Sequence, residues 1–325
     1  MRNKLFKVFV LALLAVVLGT SLTQEALAQK KNKIGFLPFT GESRYVLTND
    51  GVIAQLKKEG IDEQNTVFDF RNAEGKKEKV TEITKEFIEK GMDIIVTYGT
   101  SAVGGAYKET KDIPIVFGMV YDPVGAGVAK SIERSGTNVT GASNFVAMKS
   151  VVQIVRRVAS GKKIGVLYTE GERNSVIQFE GLKNTEGELG VTIIGVNVTT
   201  PEEVGGATLS LIQQGVDSLF VSGSSVVDKN FNAFVETAIA HRVPTVTHLP
   251  DKVEKGVLLS LSADAFTLGE LAGKQISQIL KGTKPTDIPI EILKNYDITI
   301  NLKTAKAIGK TIPAGLLKIA KKVIE

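Results

Sequence analysis

The stretch Gly91-Met92-Asp93-Ile94-Ile95-Val96-Thr97-Tyr98-Gly99-Thr100-Ser101-Ala102-Val103 decides the fold, because it returns later as Gly215-Val216-Asp217-Ser218-Leu219-Phe220-Val221-Ser222-Gly223-Ser224-Ser225-Val226-Val227. Two further segments repeat in the same way, Lys33–Leu37 as Lys163–Leu167 and Ile113–Val116 as Val243–Val246. The separations are nearly constant, which indicates one structural unit used twice in tandem. Two copies are too few for a solenoid, which needs about three. They predict two similar lobes with a cleft between them that closes on a small ligand.

Both repeats alternate short apolar runs with segments of helical periodicity. The runs are apolar at nearly every position, which indicates strands buried on both faces and hence a parallel sheet covered by helices. The sequence therefore predicts two doubly wound α/β lobes, whose ligands bind at the carboxyl ends of the strands. The predicted strands are Lys33–Phe39, Thr66–Phe70, Asp93–Tyr98 and Ile113–Val120 in the first lobe, and Lys163–Thr169, Val191–Val198, Ser218–Ser222 and Val243–Leu249 in the second.

The end of the chain predicts that the lobes are not simple halves. Helices are expected at Phe266–Leu280, Thr304–Ile308 and Leu316–Ile324, and an extended segment at Ile288–Ile300. These additional elements suggest that the chain crosses between the lobes several times, which makes a stiff hinge. We expect residues 29–141 and 263–289 to form the first lobe, and residues 142–262 and 290–325 to form the second.

The first 28 residues have the pattern of an export signal. Basic residues precede an unbroken apolar run from Val8 to Leu18, and Ala26-Leu27-Ala28 has the small residues of a cleavage site. The alternative is a single membrane anchor, but the run is shorter than the roughly 20 residues that a spanning helix needs. We therefore expect export to the periplasm, with cleavage near Ala28.

Composition argues against several classes of function. The chain of 325 residues has no cysteine, which excludes disulfides and thiolate chemistry. Its net charge of +5 comes from scattered lysines and arginines instead of one basic stripe, so we expect no nucleic-acid binding. With two histidines and no G-x-S-x-G or H-E-x-x-H motif, the sequence gives no support to an enzyme, a metal site or a cofactor.

Candidate ligand-binding residues follow the third strand of each repeat. Gly99-Thr100-Ser101 and Ser222-Gly223-Ser224-Ser225 both stand between a strand and a helix, where unpaired N–H groups suit a carboxylate. Plain helix capping by the hydroxyls is the alternative, but the presence of the motif in both repeats favours ligand contact. Tyr98 and Tyr121 lie at strand ends and are candidates for stacking on a planar ligand, although aromatic residues there more often pack in the core.

Five further polar residues can reach the predicted cleft. Asp122 and Asp264 can each bind a ligand ammonium, or merely cap a turn or a helix start, and the sequence does not decide between these roles. Asn174 and Ser175 can contact the ligand or cap the helix that they open. His248 ends a strand and can face the cleft, although no carboxylate is expected to orient its ring.

Several motifs resemble those of one known family over nearly the whole chain. They are Ile113-Pro114-Ile115-Val116-Phe117, Asp122-Pro123-Val124-Gly125-Ala126-Gly127, Gly136-Thr137-Asn138-Val139-Thr140-Gly141, Asn174-Ser175 and Ile300-Asn301-Leu302-Lys303-Thr304-Ala305-Lys306. The chain resembles the periplasmic solute-binding proteins of ABC transporters, in the subgroup that includes tryptophan- and tyrosine-type amino acid binders. The resemblance implies the type I periplasmic-binding-protein fold with three crossings between the lobes.

The resemblance also implies a function. The protein would be a monomeric receptor that captures a small solute, an amino acid or related carboxylate, by hinge closure and delivers it to the membrane permease subunits of an ABC importer. Alternatively, the same module could present its ligand to a membrane sensor. Family members often have a small residue before Asp-Pro-Val, where this chain has Tyr121, and His248 also stands where a small residue is expected. We expect both to reshape the ligand pocket.

Overall fold

The computed structural model describes residues 31–159 and 162–325, so the predicted export signal lies outside the described residues. The first lobe is built on a six-stranded sheet in which every pairing is parallel. Its strands are β1 (Asn32–Pro38), β2 (Thr66–Phe70), β3 (Ile94–Tyr98), β4 (Ile115–Val120), β5 (Val139–Ser143) and β11 (Glu291–Ile292). Their order across the sheet is β11-β5-β4-β3-β1-β2, with β1 flanked by β2 and β3 as in a doubly wound fold.

The second lobe has a seven-stranded sheet of similar design. Its strands are β6 (Lys163–Tyr168), β7 (Thr192–Asn197), β8 (Ser218–Val221), β9 (Thr245–Thr247), β10 (Leu259–Ser262), β12 (Asp297–Asn301) and β13 (Lys322–Ile324). The order is β13-β12-β10-β9-β8-β6-β7, and β12 runs antiparallel to β10. The β2-β1-β3 arrangement of the first lobe therefore returns as β7-β6-β8, which is the structural form of the sequence repeat.

Helices cover both faces of the two sheets. Those that begin in the first lobe are α1 (Ser43–Lys58), α2 (Lys77–Glu89) and α3 (Thr100–Glu109). The second lobe adds α4 (Met148–Val158), α5 (Arg173–Lys183), α6 (Glu186–Leu189), α7 (Val204–Gln213), α8 (Ser225–Lys229), α9 (Phe231–Ala240) and α10 (Asp251–Glu254). The last helices are α11 (Ala265–Leu280), α12 (Leu302–Ala307) and α13 (Ala314–Ile319), and short 3₁₀ turns lie at Pro201–Glu203 and Pro285–Asp287.

The chain crosses between the sheets three times, after β5, after β10 and after β11. The second crossing brings α11 back onto the first lobe, where it packs against α1 with almost no side chain between the two backbones. A Cβ atom on Gly51 would lie 2.1 Å from the carbonyl oxygen of Phe266, and one on Gly269 would lie 2.0 Å from that of Thr48. The expected doubly wound lobes and three-crossing hinge are thus both present.

Two local expectations differ from the structure. The predicted helix Leu316–Ile324 ends at Ile319, and Lys322–Ile324 instead pairs with β12 as the edge strand β13. Strand pairing also puts Ala142–Ser143 and Glu291–Ile292 on the first sheet, whereas we assigned residues 142–262 and 290–325 to the second lobe. Glu291 and Ile292 have few neighbours and no clear sequence pattern of their own, so only their pairing with β5 defines their lobe.

Candidate functional site

The carboxyl ends of the strands of both sheets face a cleft between the lobes, with about 530 Å³ of empty space, part of it open to solvent. The first lobe contributes its β1–α1 loop, the start of α3 and the end of β4, and the second lobe contributes the equivalent loops. Asn144 of the first crossing lies beside them. The lining residues are Phe39, Thr40, Glu42, Arg44, Tyr45, Thr100, Ser101, Met119, Tyr121, Asn144, Glu172, Asn174, Gln178, Gly223, Ser224, Ser225, Asp228, His248 and Leu249.

The two lobes touch across the rim of this cleft. Lys77 Nζ of the first lobe donates a hydrogen bond to the carbonyl oxygen of Gly171 in the second, at 3.0 Å. Arg173 Nε of the second lobe donates to the carbonyl oxygen of Gly125 in the first, at 2.9 Å. The described structure is therefore a closed form of the two-lobed molecule.

A buried group of charged side chains also joins the lobes. Arg44 Nη1 is 2.9 Å from Asp251 Oδ2 across the interface, and Arg44 also pairs with Glu42 in its own lobe. Lys252 Nζ is 3.3 Å from Glu42 Oε1 across the interface, and it pairs with Asp228 at 2.5 Å. We call these five residues the interlobe ionic cluster; it holds three carboxylates against two cations. With all three carboxyls ionised, the cluster is thus short of one positive charge.

Burial controls the protonation of this cluster. Desolvation raises the pKa of Asp228 to about 7, although Lys252 opposes the shift, and the neighbouring Glu42 carboxyl raises it further. For Glu42, burial also acts to raise the pKa, but the charges of Arg44 and Lys252 hold it well below the usual range. Burial acts to lower the pKa of Arg44, but the acidic groups around it, Asp251 foremost, together raise the pKa above its usual value and keep the guanidinium charged. Asp228 is therefore the carboxyl of the cluster that takes up a proton most readily, and protonation there balances the charge of the cluster.

The start of α3 offers N–H groups to the cleft. Gly99 is its N-cap, with φ of +93° and no side-chain cap, so the first turn keeps unpaired backbone donors. Thr100 and Ser101 both line the cleft. Gly99 is needed here for a second reason, because a Cβ atom would lie 2.5 Å from the Tyr45 hydroxyl. The helix start and the Tyr45 ring are therefore fitted to each other.

The equivalent helix start in the second lobe is already occupied. Ser225 N donates to Glu172 Oε2 at 2.8 Å, and the Ser225 hydroxyl also donates to this carboxylate. The Ser224 hydroxyl accepts from Val227 N at 3.2 Å and so caps α8. Ser224 and Ser225 line the cleft as expected, but a protein carboxylate stands where we expected the carboxylate of the ligand.

Aromatic side chains form the walls. Tyr45 lies parallel to Tyr98, with ring centroids 6.4 Å apart, and Tyr121 meets His248 edge to face at 5.3 Å. Tyr98 itself is 1% exposed and donates from its hydroxyl to Asn49 Oδ1, so it supports Tyr45 from behind and does not line the cleft. Tyr121 does line it, anchored by a hydrogen bond from its hydroxyl to a backbone carbonyl 2.6 Å away.

His248 is held by a short chain of hydrogen bonds. Gly223 N donates to Gln178 Oε1 at 2.8 Å, which leaves the Gln178 amide nitrogen to face His248 Nε2 at 3.2 Å. His248 Nδ1 is buried and has no partner among the described residues, and the same holds for Asn144 Oδ1. Burial and, to a smaller extent, the charge of Arg44 together lower the pKa of His248 to about 3, so the ring is neutral.

The structure uses four of the predicted residues in other ways. Asp122 Oδ1 accepts from Gly125 N at 2.8 Å and caps its own turn. Asp264 accepts from Thr267 N and pairs with Lys321 at 2.7 Å, outside the cleft, so it is an N-cap of α11 and part of the hinge. Ser175 and Ser222 are buried below the cleft with their hydroxyl oxygens 2.7 Å apart. Asn174 does line the cleft.

Sequence reasoning missed most of the charged lining. Glu42 and Arg44 stand at the start of α1, where charged residues are normally taken as an exposed first turn. Asp228 lies three residues after Ser225, so its position beside the repeated motif was a usable signal. Arg44, Asp251 and Lys252 meet only because the lobes close, and no local pattern in the sequence predicts that contact.

Comparison with known proteins gives a consistent result. A family model described as ABC transporter substrate binding protein matches residues 34–324. A curated relative, the tyrosine-binding protein of Clostridioides difficile (strain R20291), is 30% identical over 283 residues, which cover 86% of this chain and 82% of that protein. The relationship therefore extends over nearly all of the described residues.

Solved structures agree with the fold. An ABC domain from Streptococcus pneumonia in complex with L-Trp has a TM-score of 0.85 at 32% identity, covering 90% of this chain and 100% of that one. A ligand-free, open substrate-binding protein from Clostridium difficile has a TM-score of 0.72 at 30% identity, covering 90% and 99%. A solute-binding protein from Bacillus halodurans, 15% identical with a TM-score of 0.58, shares the fold alone.

These matches confirm the resemblance inferred from the motifs and the predicted type I fold. Within the part of the chain that the structure describes, none of the helices has both the length and the apolar character that crossing a membrane requires. The same residues contain no group of histidine and acidic side chains that could hold a metal ion. The protein belongs to the ABC transporter substrate-binding family, whose members are binding proteins for small ligands and not enzymes.

Proposed function

We propose that this protein is the monomeric receptor of an ABC importer for an aromatic amino acid, which it captures between its lobes and delivers to the permease subunits. The observation that carries the amino acid assignment is the charge of the closed cleft. Three carboxylates of the interlobe ionic cluster are buried against two cations. A buried unpaired charge is costly, so the closed form gains stability from a ligand that brings a positive group.

The ammonium group of the ligand is assigned to Asp228. This residue lines the cleft, and its pKa is raised chiefly by burial, with the neighbouring Glu42 carboxyl adding to the shift. Asp122 and Asp264, which the sequence offered for this role, are engaged in a turn and in the hinge. Glu172 is a second acidic neighbour, although two donors of Ser225 already hold it.

The carboxylate of the ligand is assigned to the start of α3. Its first N–H groups have no intrahelical acceptors, and the hydroxyls of Thr100 and Ser101 add donors at the same place. Negative charge is also stabilised there by the helix dipole. The two charged ends of an amino acid would thus bind to different lobes, so binding and closure are coupled.

The side chain of the ligand is assigned to the aromatic walls. Phe39, Tyr45 and Tyr121 face the cleft, and flat rings of this kind favour stacked or edge-to-face contact with another aromatic ring. The ligands of two relatives support this choice, since one is described as tyrosine-binding and one was solved with L-Trp. The export pattern of the first 28 residues supports a periplasmic location, where such a receptor meets its permease.

Calorimetric titration with matched analogues tests the proposal. L-tyrosine, L-tryptophan and L-phenylalanine are compared with tyramine, which lacks the carboxylate, and with 3-(4-hydroxyphenyl)propanoate, which lacks the ammonium. We expect at least one amino acid to bind and each truncated analogue to bind at least about tenfold more weakly, because a buried charged partner is then left unpaired. Tight binding of myo-inositol with no response to amino acids would overturn the proposal.

A further inference from the structure

The cleft contains a neutral hydrogen-bond donor whose direction is fixed by its neighbours. Gly223 N donates to Gln178 Oε1, so the amide nitrogen of Gln178 is the group that faces His248 Nε2 at 3.2 Å. An amide nitrogen only donates, hence His248 Nε2 accepts and the ring proton must be on Nδ1. The Gly223 N–H thereby determines, through the Gln178 side chain, which ring nitrogen of His248 carries the proton.

This donor has no acceptor in the described protein. His248 lines the cleft, is 3% exposed, and its Nδ1 is buried without a partner. Leaving a buried donor unpaired is costly, so such an atom in a binding cleft points to an acceptor that arrives with the ligand. Packing alone does not explain a histidine here, because a phenyl ring could fill the same space without an unpaired donor.

The environment of His248 selects an uncharged acceptor. Its ring lies beside the rings of Tyr121 and Phe220. The low pKa of the imidazole means that it gains no positive charge to match an anion. An oxygen atom on the ring of an aromatic side chain meets these conditions.

A second unpaired atom specifies the acceptor further. Asn144 Oδ1 is also buried, lacks a partner among the described residues, and lines the same cleft. A phenolic hydroxyl can accept from His248 Nδ1 and donate to Asn144 Oδ1 at once, whereas an indole N–H can only donate and a phenyl ring can do neither. A hydroxyl group is therefore the ring substituent whose donor and acceptor chemistry matches both unpaired atoms.

We infer that His248 is a specificity-determining residue, with Gln178 as its positioning residue, and that together with Asn144 it selects a ring-hydroxylated amino acid such as tyrosine. The inference rests on the proposed function, because it assumes that the aromatic walls hold the side chain of the ligand. It goes beyond the general choice of an aromatic amino acid by naming the atoms that distinguish one ring from another.

Affinity ratios test the inference. For the wild-type protein we expect tyrosine to bind at least about tenfold more tightly than phenylalanine, with tryptophan between them. In His248→Phe the ratio of tyrosine to phenylalanine affinity should fall close to one, and in Gln178→Leu it should fall partway. His241→Gln, at the chain's other histidine, is the control and should leave the ratio unchanged. A merely structural defect would weaken all three ligands together and leave the ratio intact.

Nitrogen NMR of the wild-type protein tests the same point without a core substitution. The chain has two histidines, and His241→Gln assigns their signals. We expect His248 to be protonated on Nδ1 alone from pH 8 down to pH 5, with its signal shifting when tyrosine binds. An Nε2-protonated ring, or equal affinity for tyrosine and phenylalanine, would overturn the inference and leave the proposed function standing. Failure to bind any aromatic amino acid would overturn the proposed function itself.

Discussion

The charge of the cleft depends on pH through the protonation of Asp228. In the closed form burial raises its pKa to about 7, whereas an exposed aspartate has a pKa of about 3.9. A raised pKa means that this group contributes stability fully below about pH 4, and that the contribution is lost as the pH rises through about 7. We therefore expect the melting temperature of the ligand-free protein, relative to that of Asp228→Asn, to fall by several degrees between pH 5 and pH 8.

Two comparisons make this measurement specific. A saturating amino acid should reduce the pH dependence, because its ammonium keeps the Asp228 carboxylate charged across the range. Asp112→Asn removes an exposed carboxyl and should reproduce the wild-type profile. If the melting temperatures of wild type and Asp228→Asn changed in parallel with pH, closure would not be raising the pKa of this carboxyl.

At the level of single residues, the sequence predicted only part of the candidate binding site. Thr100 and Ser101 were identifiable because a strand that ends in Gly-Thr-Ser and opens a helix has a known use, independent of the rest of the molecule. Asp264 has the same type of local environment as a ligand-binding acid, and only its distance from the cleft and its pairing with Lys321 show its hinge role. Residues whose partners lie in the other lobe cannot be predicted from local pattern.

The two copies of the strand–glycine–helix element have diverged, although their sequences still match. In the first, Gly99 has a positive φ and lies against the Tyr45 hydroxyl. In the second, an added Cβ on Gly223 would come no closer than 3.0 Å to the end of the Asn174 side chain, which can move. Gly99 is thus required both by its left-handed backbone conformation and by its contact with Tyr45, whereas neither requirement applies to Gly223.

Alanine substitutions separate the two elements. Gly99→Ala should cost about 1–3 kcal/mol of stability through its backbone strain. It should also push the Tyr45 ring out of place and weaken amino acid binding by more than tenfold. Gly223→Ala should lower the stability less, because its neighbour Asn174 can move, and Gly104→Ala, where an added Cβ atom would meet nothing within 4 Å, is the control that should not weaken binding. Chemical denaturation and calorimetry measure the two effects, and equal behaviour of the variants would contradict the assigned difference.

Helices and strands were predictable from the sequence where contacts within a single lobe determine them. The buried strands and the amphipathic helix 266–280 follow from periodicity, and they hold in the structure. Lys322–Ile324 reads as the end of a helix because Leu316, Ile319 and Val323 have helical spacing, yet the free edge of β12 pairs with it as a strand. The contact of α1 with α11 through Gly51 and Gly269 was likewise not predicted, because glycine inside a helix registers in the sequence only as a lowered helix propensity.

Two features of the whole molecule govern its closure: the hinge and the charged interface between the lobes. Three crossings restrict the lobes to one opening motion, and the charged groups decide how far that motion favours the closed form. A repeat in the sequence predicts the lobes and the cleft, but not the interlobe ionic cluster, whose members come from non-equivalent positions of the two lobes. Closure therefore depends on the residues in which the two repeats differ.

Arg44 is the residue on which closure should depend most. Its side chain is 7% exposed and holds Asp251 across the interface, so Arg44→Met leaves three carboxylates facing Lys252 alone. Breaking a buried pair costs about 3 kcal/mol or more, which corresponds to roughly a hundredfold loss of amino acid affinity if binding requires closure.

Titration calorimetry measures this loss, and small-angle scattering should show that more ligand is needed to reduce the radius of gyration. Lys58→Met, which removes the exposed pair with Glu270 within one lobe, should change affinity less than fivefold. Wild-type affinity in Arg44→Met would mean that the ion pairs follow closure without stabilising it.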